Sequence, residues 1–142
     1  MISQRTLRLL SKLAARNVAS AERKAADALA KVQRLEHEAK MIVSYTERLV
    51  ASLRGRACLG GDFQATTGFV SASLKAQAAA EAARERGEQV KIAAFHQLAT
   101  EMQRRDALDP AHEAVAADTA RSQERKTERL ASSGSVAAAK QY

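Results

Sequence analysis

Three histidines, one cysteine and one glycine pair are the residues of this 142-residue chain whose types could carry chemistry. His37, His96 and His112 stand far apart, none has a cysteine at metal-ligand spacing, and no zinc or other metal site is expected. Cys58, the only cysteine, has no base beside it in sequence to activate a thiolate and no partner for an intramolecular disulfide. Gly60-Gly61 lacks the Gly-Lys-Ser/Thr that completes a phosphate-binding loop, and hairpin turns use glycine routinely. No catalytic, cofactor-binding or metal constellation remains. The chain is expected not to be an enzyme, to need no cofactor and, with nothing demanding an oxidising compartment, to work in a reducing cytoplasm.

What remains to be placed is charge. The net charge is +7, and it is uneven: residues 1–54 carry eleven Lys/Arg against five Asp/Glu, whereas residues 62–142 carry eleven of each. No acidic residue precedes Glu22, and Arg5, Arg8, Lys12 and Arg16 share one side of a helix beside Leu7, Leu10 and Ala14. This is a basic amphipathic stretch, read first as a solvated face that docks an acidic partner and second as a membrane-surface element or organellar presequence. Nucleic acid is not the expected partner, because the cations are not interleaved with aromatic residues for base stacking and the second half is neutral. No segment approaches the roughly 20 apolar residues of a membrane span, and there is no continuous apolar core for a secretory signal.

The elements that must position these residues are helices. Apolar residues make up 46% of the chain, yet 32 residues are alanine, with three Phe, two Tyr and no Trp, a composition that fills a narrow seam rather than a deep core. From Leu7 to Leu53 two lanes return every seven residues without losing phase. One is Leu7, Ala14, Ala21, Ala28, Leu35, Ile42 and Leu49; the other is Ser11, Val18, Ala25, Val32, Ala39, Thr46 and Leu53. Twelve of the fourteen positions are apolar, and neither proline nor glycine interrupts them. A helix about 70 Å long follows, too long for any globular core this chain could build, so it is expected to be one arm of a rod.

Ser3 or Thr6 can cap the start of that arm, residues 1–54, and Gly55 and Gly60-Gly61 mark a turn over 55–61. A second arm over 62–131 opens on Asp62, with Phe69, Ala72, Ala76, Ala79, Ala83, Val90 and Ala93 as its heptad stripe and a slip beyond Val90 to Ala94, Leu98 and Met102. Asp109-Pro110 sets a kink or a fresh helix start, and residues 132–142 read as a flexible tail. The expected fold is all-α, a long antiparallel two-helix coiled coil. If Arg54 faces Asp62, facing residue numbers sum to about 116. That places Pro110 opposite Thr6 and Tyr45 within one turn of Phe69, and leaves residues 111–131 to project or to meet a partner.

The run Lys40-Met41-Ile42-Val43-Ser44-Tyr45, followed by Leu49 and Leu53, resembles the flagellar type III export protein FliJ family. Leu10-Ser11-Lys12-Leu13-Ala14, the step Phe69-Val70 and the charged run Arg125-Lys126-Thr127-Glu128-Arg129 are similar to that family too, so the likeness spans nearly the whole chain. The stalk proteins of injectisome secretion share the pattern. The resemblance implies a non-enzymatic stalk that inserts in the hexameric export ATPase, couples it to the membrane export gate and handles export chaperones. Such a stalk is cytoplasmic and reaches the inner membrane export apparatus through its partners. The resemblance implies gate binding by Tyr45 and Phe69, with Ile42 and Ala76 beside them and Leu49 where the family often has an aromatic. The alternative is a basic coiled coil that binds nucleic acid or a membrane surface.

Overall fold

The computed structural model describes the backbone of residues 2–54 and 60–140 and the side chains of residues 2–54 and 67–134. Three helices follow in order, α1 (Gln4–Arg54), α2 (Gly60–Asp106) and α3 (Asp109–Lys140), with no strand among the described residues. The fold is all-α, and α1 and α2 run antiparallel as a helical hairpin.

Each helix end has a local cause. Ser3 caps α1: its hydroxyl accepts from the Thr6 amide at 3.1 Å, and its carbonyl accepts from the Leu7 amide at 2.9 Å. Arg54 closes α1 with a cation in the last turn, where the helix dipole favours it. The expected turn at 55–61 falls largely on residues 55–59, which with Cys58 lie outside the described residues, and α2 has begun by Gly60. At its far end α2 tightens, because the Leu108 amide bonds the Arg105 carbonyl at 3.1 Å, three residues back rather than the four of an α-helix. Asp109 and Pro110 then open α3, the proline sitting where a missing amide hydrogen costs nothing, and the His112 amide bonds the Leu108 carbonyl at 3.0 Å. The helix runs on to Lys140, so the segment expected to be a flexible tail is helical to that residue.

The chain forms two compact units, Ala19–Ala99 and Met1–Val18 with Thr100–Tyr142. In the first, α1 buries Ala21, Ala25, Ala28 and Val32, with Val32 only 2% exposed. The opposing side of α2 consists of Val70, Ser73, Gln77, Ala80, Arg84, Gly87, Lys91, Ala94 and Leu98, all buried or half-buried at alternating three- and four-residue steps. This corrects the stripe expected from the alanines, which lies one residue away: Phe69, Ala72, Ala76, Ala79, Val90 and Ala93 are exposed, and of that stripe Ala83 is half-buried. It also removes the expected slip, since Ala94 and Leu98 keep the phase set by Val70, and Arg86 is on the surface. Long polar side chains occupy seam positions here because their stems can lie across alanine while their charged ends reach water.

The register differs as well, and Gly87 is the reason. A Cβ built at Gly87 would lie 2.8 Å from Leu35 Cδ1 and 3.5 Å from Val32 Cγ2, so the glycine makes the space that Leu35 fills. With Leu35 on Gly87, and Glu36 and Lys40 sharing a groove with Arg84 and Glu81, facing residue numbers sum to about 121 rather than 116. The 116 register assumed tight closure between Arg54 and Asp62; side-chain fit at Gly87 decides instead.

In the unit built from Met1–Val18 and Thr100–Tyr142, Leu7 is the anchor, 2% exposed, with Val18 5% exposed on the same face of α1. Burying a leucine of this kind stabilises by roughly 1.5–3 kcal/mol. Leu108, Ala111 and Val115 are half-buried, and Ser11 and His112 join through their side chains, Oγ to Nε2, at 2.6 Å. Pro110 therefore does not arrive opposite Thr6; that place falls about two turns further along α3. From Ala116 to Gly134 every residue of α3 is exposed.

The phase of α2 is testable by moving a charge one residue. Ala80→Asp puts a carboxylate in the seam and is expected to lower stability by about 2 kcal/mol or more, as is Val32→Asp, whereas Ala79→Asp on the exposed side changes it by about 0.5 kcal/mol or less. Thermal unfolding followed by circular dichroism checks this, and equal melting for Ala79→Asp and Ala80→Asp would remove the assigned phase.

Candidate functional site

The residues implicated in partner binding fall on two separate surfaces, each within one unit. On the first, Ile42 and Leu49 are half-buried members of the α1 seam, while Tyr45, immediately before the seam residue Thr46, is 61% exposed. Phe69 stands in the equivalent place on α2, immediately before Val70, and is 65% exposed. In an antiparallel pair these two positions lie on the same flank, so Tyr45 and Phe69 share one side. They are not neighbours, however. The register sets Tyr45 level with Ala76, itself exposed, and Phe69 one heptad nearer the turn, about 10 Å along the axis. The expectation that Tyr45 sits within one turn of Phe69 is thus corrected, by the Leu35–Gly87 fit that moves the whole of α2 along α1. Val43 and Val50 border the opposite flank, half-buried.

That opposite flank carries an arrangement with no forewarning in sequence. Glu36, Lys40, Val43, Glu47, Glu81 and Arg84 line an open groove of about 500 Å³ between α1 and α2. Arg84 occupies a seam position and turns outward, donating from Nε to Glu81 Oε1 at 3.1 Å and pairing with it through Nη2 as well. The Arg84 hydrogen bond holds the Glu81 carboxyl below the usual carboxylate range, and the same bond, helped by the Glu81 charge and more distantly by Glu36, raises Arg84. Only α2's own seam phase, invisible until the stripe is shifted by one residue, signals that Arg84 faces α1.

The second surface gathers Arg5, Arg8, Lys12 and Arg16, all exposed and in no ion pair among the described residues. Arg8, Gln4 and Leu7 share a cavity of about 470 Å³ with His112, Val115, Thr119 and Gln123, so the first turns of α1 and the first four turns of α3 meet within this unit. Arg121, Arg125, Lys126 and Arg129 follow on the exposed stretch of α3.

Among the described residues no three His, Cys, Asp or Glu side chains come together as metal ligands. No helix among the described residues is long and apolar enough to cross a membrane. Compared with protein-family models, with curated proteins and with solved structures, the chain finds no match.

The Glu81–Arg84 contact gives a pH signature of definite sign. Because the folded Glu81 carboxyl sits below its unfolded value, its contribution is present above the ordinary carboxylate range and is lost as the pH falls through it. The melting temperature of the protein should exceed that of the Glu81→Gln variant at about pH 7, and the gap should close by about pH 3. A gap that stayed constant over that range would show the contact contributes nothing in solution.

Proposed function

We propose that this chain is a non-enzymatic coiled-coil stalk of a type III protein export apparatus, flagellar by its resemblance, that binds the export ATPase ring and the membrane export gate and assists export chaperones. The reading rests on one structural observation above all: α3 continues past the first turns of α1 as a helix exposed on every residue from Ala116 to Gly134. Ala116, Thr119, Ala120 and Gln123 still line the cavity shared with Gln4, Leu7 and Arg8, yet no residue of the stretch is buried or half-buried, and a partner that covers it would give its persistence a function. The charged run Arg125-Lys126-Thr127-Glu128-Arg129, part of the likeness to the FliJ family, lies on this stretch.

In this reading the ATPase contact uses Arg5, Arg8, Lys12 and Arg16 with the exposed part of α3, and the gate contact uses the flank that holds Tyr45, Ala76 and Phe69, with Ile42 and Leu49 supporting it from the seam. Exposed aromatics on an alanine-rich helical pair have no core to serve, which favours a partner surface. The protein would then be cytoplasmic and reach the inner membrane through its partners.

Pull-down with purified export ATPase, with hydrolysis measured alongside, tests the reading. The chain should stimulate hydrolysis while having none itself, and salt should weaken the contact. Tyr45→Ala and Phe69→Ala should lower gate binding about tenfold without loss of helicity or of ATPase stimulation, a hot-spot-sized effect. Tight binding to random duplex DNA with a steep salt dependence, and no effect on the ATPase, would favour the basic nucleic-acid-binding alternative.

A further inference from the structure

The outward face of the first turns of α1 carries an apolar stripe of its own. Leu9 is 59% exposed and Leu13 54%, with Ile2, just ahead of the helix, at 50%. The buried or half-buried residues of this stretch are Leu7, Ser11, Ala14 and Val18. Leu9 and Leu13 follow Leu7 by two and six positions, which turns them about 200–240° away from it. They therefore sit on the side of α1 opposite the one that holds Ser11 against His112 of α3.

Cations edge this stripe and carboxylates do not. Arg5, Lys12 and Arg16 fall within about 60° of Leu9 on one border. All three are exposed and without an ion pair among the described residues, and α1 has no acidic residue before Glu22. Small polar residues, Thr6 and Asn17, lie on the other border.

We propose that this face binds an anionic lipid surface, with α1 lying in the plane of the interface. Leu9 and Leu13 would enter the boundary between headgroups and acyl chains, and Arg5, Lys12 and Arg16 would meet lipid phosphates. The pattern matches what an interfacial helix requires: aliphatic residues on one side, cations of a single sign beside them, and too little apolar length to span. Two features favour lipid over other polyanions. A nucleic acid or a purely acidic peptide would engage the cations but leave the exposed leucines beside them uncovered. The face also lacks aromatic residues on which bases could stack. The inference does not rest on the export reading, and loss of ATPase binding would leave it standing; since lipid and an acidic protein would compete for the same cations, the test uses the chain alone.

Co-sedimentation of the full chain with vesicles decides it. Phosphatidylcholine vesicles containing about 30% phosphatidylglycerol should retain the protein, pure phosphatidylcholine should bind it about tenfold less, and raising salt from about 0.1 M to about 0.5 M should release it. Leu9→Ser with Leu13→Ser should lower binding to anionic vesicles about tenfold with helicity unchanged, and Arg5→Gln, Lys12→Gln and Arg16→Gln together should do the same. Should the double leucine variant lose helicity, Leu13→Gln alone gives the same reading with less perturbation. Equal binding to neutral and anionic vesicles, or anionic binding that survives loss of both leucines, overturns the proposal. Binding to soluble polyglutamate as tight as to vesicles, and equally indifferent to the leucines, would assign the cations to an acidic protein instead.

Discussion

An alanine-rich seam on α1 is the constraint from which the rest of the structure follows. Ala21, Ala25 and Ala28 are buried with Val32 along one face, and side chains this small let a second helix approach closely while giving it little to grip. The opposing helix must therefore offer either small residues or long ones whose ends escape. α2 does both, with Ala80, Gly87 and Ala94 at some seam positions and Gln77, Arg84 and Lys91 at others. Where α1 does present bulk, at Leu35, α2 answers with its one buried glycine among the described residues, and that single fit fixes how far the two helices are slid along each other.

How much of this could be read from the chain depended on where apolar residues are concentrated. On α1 the two lanes run unbroken, and although Leu9, Leu13 and Met41 lie outside them, all fourteen lane positions from Leu7 to Leu53 are buried or half-buried. On α2 they surround the helix. Phe69, Leu74, Val90, Ile92 and Phe95 are all exposed, and two lanes one residue apart compete, of which the alanine-rich one is the wrong choice. Periodicity measures amphipathicity, and a helix that is apolar on several sides gives it no unique phase. Register was illegible for another reason: it depends on a contact between Leu35 and Gly87, more than fifty positions apart in sequence, not on the pattern of either helix. The consequences for the candidate site are particular. The exposure of Tyr45 and Phe69 follows from each residue's place beside its own seam, but their separation follows from the register, which sets them about five residues further apart than tight closure at the turn would.

The polar and charged residues divide along the same lines. Those placed at the seam, such as Arg84 and Lys91, pair locally with Glu81 and Glu88 one turn away. Those without ion pairs among the described residues, from Arg5 to Arg16 on α1 and from Arg121 to Arg129 on α3, are all exposed. A hairpin with so slight an interior keeps its large side chains for the outside, where Leu9, Leu13, Tyr45 and Phe69 are each more than half exposed. The large side chains best suited to binding are thus ones that do not hold the fold together, which supports the proposed partner surfaces.

The register of α2 on α1 carries the account, because the seam phase, the spacing of Tyr45 and Phe69 and the groove at Glu81 all depend on it. Disulfide trapping measures it directly, with Cys58→Ser to remove the native thiol and cysteine pairs introduced at 35 with 87 and at 35 with 81. Mild oxidation should close the 35–87 pair within one chain and leave the 35–81 pair reduced, since two cysteines bridge only when their Cα atoms come within about 7 Å. Ready closure of 35–81 with none at 35–87 would restore the tight register set at the turn and contradict the structure described here.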